Sequence, residues 1–138
     1  IKKRKQIETQ LNELRMSKSE IAEMGETKEK IFTFTIGNDG FGKTTYILNS
    51  PTIMMIVSSG YNKQASAVHE LTHAYDFWKG HFQNSINDEV KAYRRQYAFK
   101  SNSMPAKIPG SILDIDTNYV RSIVDENGEP LYKDTNGF

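Results

Sequence analysis

The stretch from Gln64 to Lys79 contains neither glycine nor proline, and its apolar and small residues recur at helical spacing. It predicts a helix, with Gly80 as its stop. Inside it stands His69-Glu70-Leu71-Thr72-His73. Residues four apart project from one face of a helix, so two imidazoles stand side by side with a carboxylate one position further round. Imidazoles at this spacing can bind one divalent ion through two nitrogens at about 2.0–2.1 Å. Glu70 is then placed to take a proton from a water at the ion's open position and to return it to a leaving amine. The alternative is a polar helix whose histidines are surface or satisfied core residues. The unbroken helical context favours metal binding.

A catalytic zinc ordinarily takes three protein ligands and a water. Glu89, sixteen residues after His73, lies near the start of a second predicted helix over 87–99. The intervening loop is long enough to let that helix pack back on the first. His81, eight residues after His73, is the other candidate. An arrangement with glycine three residues after the second histidine and a ligand at six is excluded, because Asp76 and Lys79 hold those positions. Glu89 is favoured over His81. Asp88 is the fallback carboxylate, although its expected role is charge at the helix N-terminus.

Asp76 is a candidate to accept the second ring N–H of a ligand histidine; the alternative is an exposed helix aspartate. Tyr93, one turn past Glu89, is a candidate donor to the oxyanion formed when a carbonyl is attacked; the alternative is an aromatic in the core. Tyr97 and Trp78 read as core, Tyr75 as packing beside the site, and Arg94 and Arg95 as a solvated helix face.

The surrounding chain reads as α+β. Ile7, Leu11 and Leu14 mark an opening helix. Ser17-Lys18-Ser19-Glu20 has capping-box spacing and predicts a second, short helix ending at Gly25. Ile31–Ile36, Lys43–Leu48 and Thr52–Ser58 read as three strands, the third apolar on both faces. If the edge of Ile53–Val57 lines a cleft, an extended peptide can pair with it as an added strand. A short helix within Ile112–Val124 and a turn at Asp125-Glu126-Asn127-Gly128 complete the reading. Gly37 to Thr44 has the spacing of a phosphate loop but leads into β-branched residues, whereas a phosphate loop must open a helix. That argues against nucleotide binding.

The chain has 138 residues, enough for one domain spanning 1–138, and it begins with Ile1, which suggests a fragment of a longer chain. A net charge of +1 suggests no nucleic-acid partner. The longest apolar run, Ile53-Met54-Met55-Ile56-Val57, is too short to span a bilayer. The chain has no cysteine, which excludes disulfides, thiolate zinc sites and a cysteine nucleophile.

His69-Glu70-Leu71-Thr72-His73-Ala74 followed by Glu89 resembles the gluzincin branch of zinc metallopeptidases, the thermolysin-like group. At finer grain, Ala67 to Phe99 resembles minimal metallopeptidase domains at the C-termini of bacterial polymorphic and Rhs-type toxins. The resemblance implies a small zincin-like domain: a short mixed or antiparallel sheet on an active-site helix, and a second helix supplying Glu89. It further implies zinc held by His69, His73 and Glu89, and a polypeptide substrate. A cognate immunity or inhibitor protein and a secreted or cell-surface bacterial parent belong to the same implication. The chain departs from the thermolysin-like pattern at Tyr93, where that group has aspartate, and lacks the extra domain carrying its oxyanion-stabilising histidine. The expected function is therefore zinc-dependent hydrolysis of peptide bonds by a metal-activated water. The rivals are a zinc-containing binding module without turnover and an amidase acting on peptidoglycan or another small amide.

Overall fold

A computed structural model describes residues 2–37, 42–46, 50–58, 62–105, 107–133 and 135, without the side chains of Tyr46 and Ser58. Its opening element is one helix, α1 (Lys2–Glu26), where two had been expected. Ser17 does not begin a helix; it lies buried inside one. No glycine or proline interrupts residues 2–24, so nothing forces the extended residue that an N-cap needs. Gly25 does not end α1 either, since the helix runs on through Glu26.

Three strands follow, β1 (Ile31–Gly37), β2 (Lys43–Tyr46) and β3 (Thr52–Ser58), in the spatial order β1-β3-β2. The sheet is mixed. β1 runs parallel to β3, from Ile31 opposite Thr52 to Gly37 opposite Ser58. β2 runs antiparallel, from Lys43 opposite Ile56 to Tyr46 opposite Ile53. The expected peptide-pairing edge at Ile53–Val57 is thus corrected: β3 is the central strand, hydrogen-bonded on both sides, and the outer edges belong to β1 and β2. Central position also explains the apolar sequence of β3. Ile53, Met55 and Val57 are buried on one face, while Met54 and Ile56 occupy the other, half-buried. Gly42 leads into β2, which Lys43 opens, rather than into a helix. Ile47 and Leu48, the expected end of the second strand, lie outside the described residues, as do 38–41 and 59–61 of the expected loops.

Helix α2 (Lys63–Lys79) packs on the sheet through β3, and α3 (Ile86–Phe99) packs on α2. Gly80 closes α2 in the left-handed conformation, φ 74°, where a side chain would be strained. The apolar interior falls into two clusters. One lies between α2 and the sheet, around Met24, Ile53, Met55 and Ala74. The other lies between α3 and the C-terminal segment, around Tyr97, Ile112, Ile115 and Val120. The expected helix within 112–124 resolves into a single 3₁₀ turn (Ile112–Asp114) and α4 (Thr117–Arg121). Asp116 causes the restart, because its side chain accepts from the Tyr119 N–H at 2.9 Å and caps the new helix. The expected turn brings Val124 opposite Pro130, and the Leu131 N–H donates to the Ile123 carbonyl at 2.9 Å. Among the described residues, no helix is long and apolar enough to cross a membrane.

Arg95 is the second correction to the expected surfaces. It is 1% exposed, not solvated. Its Nε donates to Glu13 Oε2 at 2.6 Å and its Nη1 to Glu20 Oε1 at 2.8 Å, tying α3 to α1. Arg94 Nε donates to the Ile115 carbonyl at 2.9 Å. A guanidinium satisfies two carboxylates here through directed, charge-assisted bonds. Removing one partner from such a cluster leaves the rest desolvated and uncompensated. Arg95→Ala is expected to lower the unfolding free energy by about 3 kcal/mol, read from urea denaturation. An unchanged midpoint would remove the ion cluster from the forces that seat α1.

Candidate metal centre

The turn between α2 and α3 determines which carboxylate reaches the histidines. Asp88 Oδ2 accepts from the Ser85 N–H at 2.9 Å and the Gln83 N–H at 3.2 Å, so Asp88 satisfies the free donors that open α3. Glu89, one position on, points from the first turn of α3 to the buried imidazole face of α2. Its Oε1 lies 3.0 Å from His69 Nε2 and its Oε2 3.0 Å from His73 Nε2. The two imidazoles stand edge to face, with ring centroids 4.9 Å apart.

One donor atom from each of His69, His73 and Glu89 lies within 4.8 Å of the others. Donors placed tetrahedrally at about 2.1 Å from a common ion stand about 3.4 Å apart. The three groups therefore fit a divalent metal after sub-ångström adjustments, and two imidazoles with one carboxylate form a donor set that such ions accept.

His69 is oriented from behind. Its Nδ1 lies 2.9 Å from Gln96 Oε1, and the Gln96 amide donates to the Ser103 carbonyl at 3.1 Å and to Ser103 Oγ at 3.2 Å. Ser103 Oγ donates in turn to the Lys100 carbonyl at 2.7 Å. With the amide nitrogen committed to Ser103, the amide oxygen must face His69. Nδ1 then carries a proton and Nε2 is the nitrogen presented to the centre. His73 lacks this support, since its buried Nδ1 has no hydrogen-bond partner among the described residues.

Electrostatics follow from the close packing. Burial opposes a charge on His73, but the Glu89 carboxylate outweighs it and holds the imidazole up to about 9. Burial likewise works against ionised Glu89, yet His73 and His69 hold its carboxyl well below the usual carboxylate range. Without an ion, the pair is an imidazolium beside a carboxylate.

These groups open onto a cleft of about 180 Å³, whose other walls include Gly42, Thr44, Glu70 and Tyr132. Glu70 is buried next to the histidines without joining their contacts. The Thr44 hydroxyl lies 2.6 Å from Glu70 Oε1, which anchors the carboxylate to β2. Gly42 shares this close fit. A Cβ built there would meet Glu70 Oε2 at 2.8 Å and the Ile56 carbonyl at 2.8 Å, so only glycine admits this approach of strand to carboxylate.

The remaining predicted residues fall elsewhere. Tyr93 is buried edge-on to His69, with centroids 4.4 Å apart, and its hydroxyl bonds that of Tyr132, the phenol lining the cleft. Burial pushes both phenols well above their ordinary range, so both stay protonated. His81 is 63% exposed, and its closest carboxylate is Asp76 at 3.9 Å; it does not enter the cluster. Asp76 accepts from Lys91 Nζ at 2.8 Å, not from a ligand histidine. Tyr75 reaches Glu23 of α1, Tyr97 lies in the core, and Trp78 forms a half-buried wall. Gln96, Thr44, Gly42 and Tyr132 were not assigned to this centre from sequence; Gly42 and Thr44 were weighed only as part of a phosphate loop. Gln96 had a local signal, lying seven residues after Glu89 and so on the same helix face. The other three arrive through tertiary packing.

Comparison with protein-family profiles, with characterised proteins and with solved structures finds no match. The reading of the site therefore rests on its own geometry.

Metal binding to this centre must displace the His73 proton, so affinity is expected to rise about tenfold per pH unit from pH 7 and to level near pH 9. Proton release measured by calorimetry in buffers of differing ionisation heat checks this, and a pH-independent affinity would contradict it. In the metal-free protein the sign reverses for stability. The contribution of charged His73 is complete below its ordinary value of 6.5 and is lost as pH climbs through about 9. Gln96→Leu is expected to weaken metal binding about 10–100-fold, read by competition with a chromophoric chelator. Unchanged affinity would show that Gln96 does not orient the ligand.

Proposed function

We propose that this chain is a zinc metallopeptidase hydrolysing peptide bonds. The observation that carries the reading is the convergence of two imidazoles and one carboxylate on α2 and α3, beside a second carboxylate, Glu70, that does not contact them and lines the same cleft. Zinc held by His69, His73 and Glu89 would polarise an amide carbonyl and acidify a water at neutral pH.

The chain's own residues supply the rest. Glu70, fixed by the Thr44 hydroxyl, is the general base that takes the proton and later passes it to the leaving amine. If Tyr93 donates to Tyr132, the Tyr132 proton is free to be donated into the cleft, toward an oxygen gaining negative charge. The oxyanion role expected of Tyr93 thereby passes to its hydrogen-bond partner, with Tyr93 orienting it. The outer edge of β2 carries Thr44 beside the cleft, and an extended peptide can pair with it as a further strand.

Glu70→Gln is expected to keep one equivalent of zinc while losing about 10²–10⁴-fold in the rate of cleavage of a denatured polypeptide mixture. Full activity in that variant would refute the general-base assignment. Wild-type protein that holds zinc yet yields no fragments would favour a binding module, and cleavage confined to small amides would favour an amidase.

A further inference from the structure

The sheet has a second edge, on the side away from the metal cleft. β1 stands there, and among the described residues it packs extensively only on β3. On one face, Phe32, Phe34 and Ile36 lie beside Ile53, Met55 and Val57 of β3 and continue their apolar row. The β3 residues are buried, yet Phe34 and Ile36 are 51% and 58% exposed, and Ile31 on the opposite face is 53% exposed. Sheet edges in folded proteins are commonly guarded by lysine, proline or a bulge. Ile31–Gly37 contains no charge and no proline.

We propose that β1 pairs antiparallel with β1 of a second copy of this chain, joining two three-stranded sheets into one. The backbone is set for it. The Ile31 N–H donates to the Pro51 carbonyl at 2.9 Å, toward β3. Consecutive residues of a strand turn their backbone groups to opposite edges, so Thr33 and Thr35 also face β3, and Phe32, Phe34 and Ile36 present theirs outward. Phe34 is the midpoint of the strand. Full overlap of two copies therefore sets Phe34 opposite Phe34, Phe32 opposite Ile36 and Thr33 opposite Thr35. In that register the outward groups meet as hydrogen-bonded pairs. The side-chain pairs are aromatic with aromatic, aromatic with β-branched, and threonine with threonine, all of stabilising kinds.

This self-complementarity favours a second copy over a foreign strand, and charge and area agree with it. Lys30, which precedes the strand, and its copy come to opposite ends of the pair, so no like charges meet. A net charge of +1 adds little long-range repulsion. At roughly 200 Å² for a large apolar side chain, Ile31, Phe34 and Ile36 expose on the order of 300 Å² per copy. The exposed Thr33 and Thr35 and the backbone edge carry the pair toward the roughly 1,000 Å² expected of a specific interface. Each copy offers one such edge, so the contact is isologous and closes at two. Its two-fold axis stands perpendicular to the sheet. The β2 edges, with their metal clefts, lie at the far ends of the joined sheet and stay open. The pairing rests on β1 and is independent of the metallopeptidase reading.

Sedimentation equilibrium of the full chain tests the pairing, and a monomer–dimer equilibrium is expected at concentrations up to roughly 100 µM. Phe34→Lys sets two ammonium groups face to face and should raise the dimer dissociation constant about 100-fold. The register is read by cross-linking, since the chain has no cysteine of its own. Thr33→Cys mixed with Thr35→Cys should form a disulfide between the two variants under mild oxidation. Either variant alone should cross-link far less, because its own copies stand about 8 Å apart at Cα, beyond disulfide reach. These variants keep every apolar side chain, so the cross-link decides even where Phe34→Lys fails to fold. A wild-type chain that stays monomeric, or one that grows beyond two copies, would overturn the proposal. So would a Phe34→Lys dimer of unchanged strength, or cross-linking of the separate variants equal to that of the mixture.

Discussion

The contact on which the rest depends is the Glu89 carboxylate set between two imidazoles, 3.0 Å from each. It joins α2 to α3 at one buried point. Neither helix could bury its polar groups alone, since a desolvated carboxylate or imidazolium is costly without its counterpart. The arrangement around this contact is graded. Asp88 secures the start of α3, Gln96 secures the orientation of His69, and Thr44 secures Glu70 from the sheet side. Two of these supports lie on α3 and one on β2 and they act on groups of α2 and α3, so the centre holds its geometry only when the sheet and both helices are assembled.

The apolar interior divides accordingly. One cluster lies between α2 and the sheet and another between α3 and the C-terminal segment, with the polar centre between the two helices. α1 ties the assembly from outside through Arg95, which immediately precedes Gln96 in sequence. A structural ion cluster and the residue orienting a candidate ligand thus share one turn of α3, the first reaching α1 and the second α2.

Much of this was readable from local pattern. The helix bearing His69, Glu70 and His73 announced itself through spacing and the absence of breakers, and three strands in a small α+β fold followed from β-branched runs between turn formers. What failed was information carried by distance along the chain. The capping-box spacing at Ser17 was real, but capping is optional where the helix can continue, and the buried packing of Ser17 settles the matter. Arg95 looked solvated because its partners lie 82 and 75 residues away. The edge strand was misassigned because sheet order is set by crossover, and no local signal distinguishes a central β3 from a third strand in sequence order. Tyr93 packs edge-on to His69, but its hydroxyl partner comes from the C-terminal turn, far outside any helical period.

The imidazolium–carboxylate pairing of His73 with Glu89 separates assembly from cargo. In small zinc domains the ion is what makes the fold possible, and the apo chain is a random coil. Here a proton on His73 stands in for the cation, neutralising the same carboxylate against the same helix. Under the proposed metal-dependent function, such a chain would complete its architecture in surroundings poor in metal and be charged afterwards, so ion supply would govern when it begins to work rather than whether it survives.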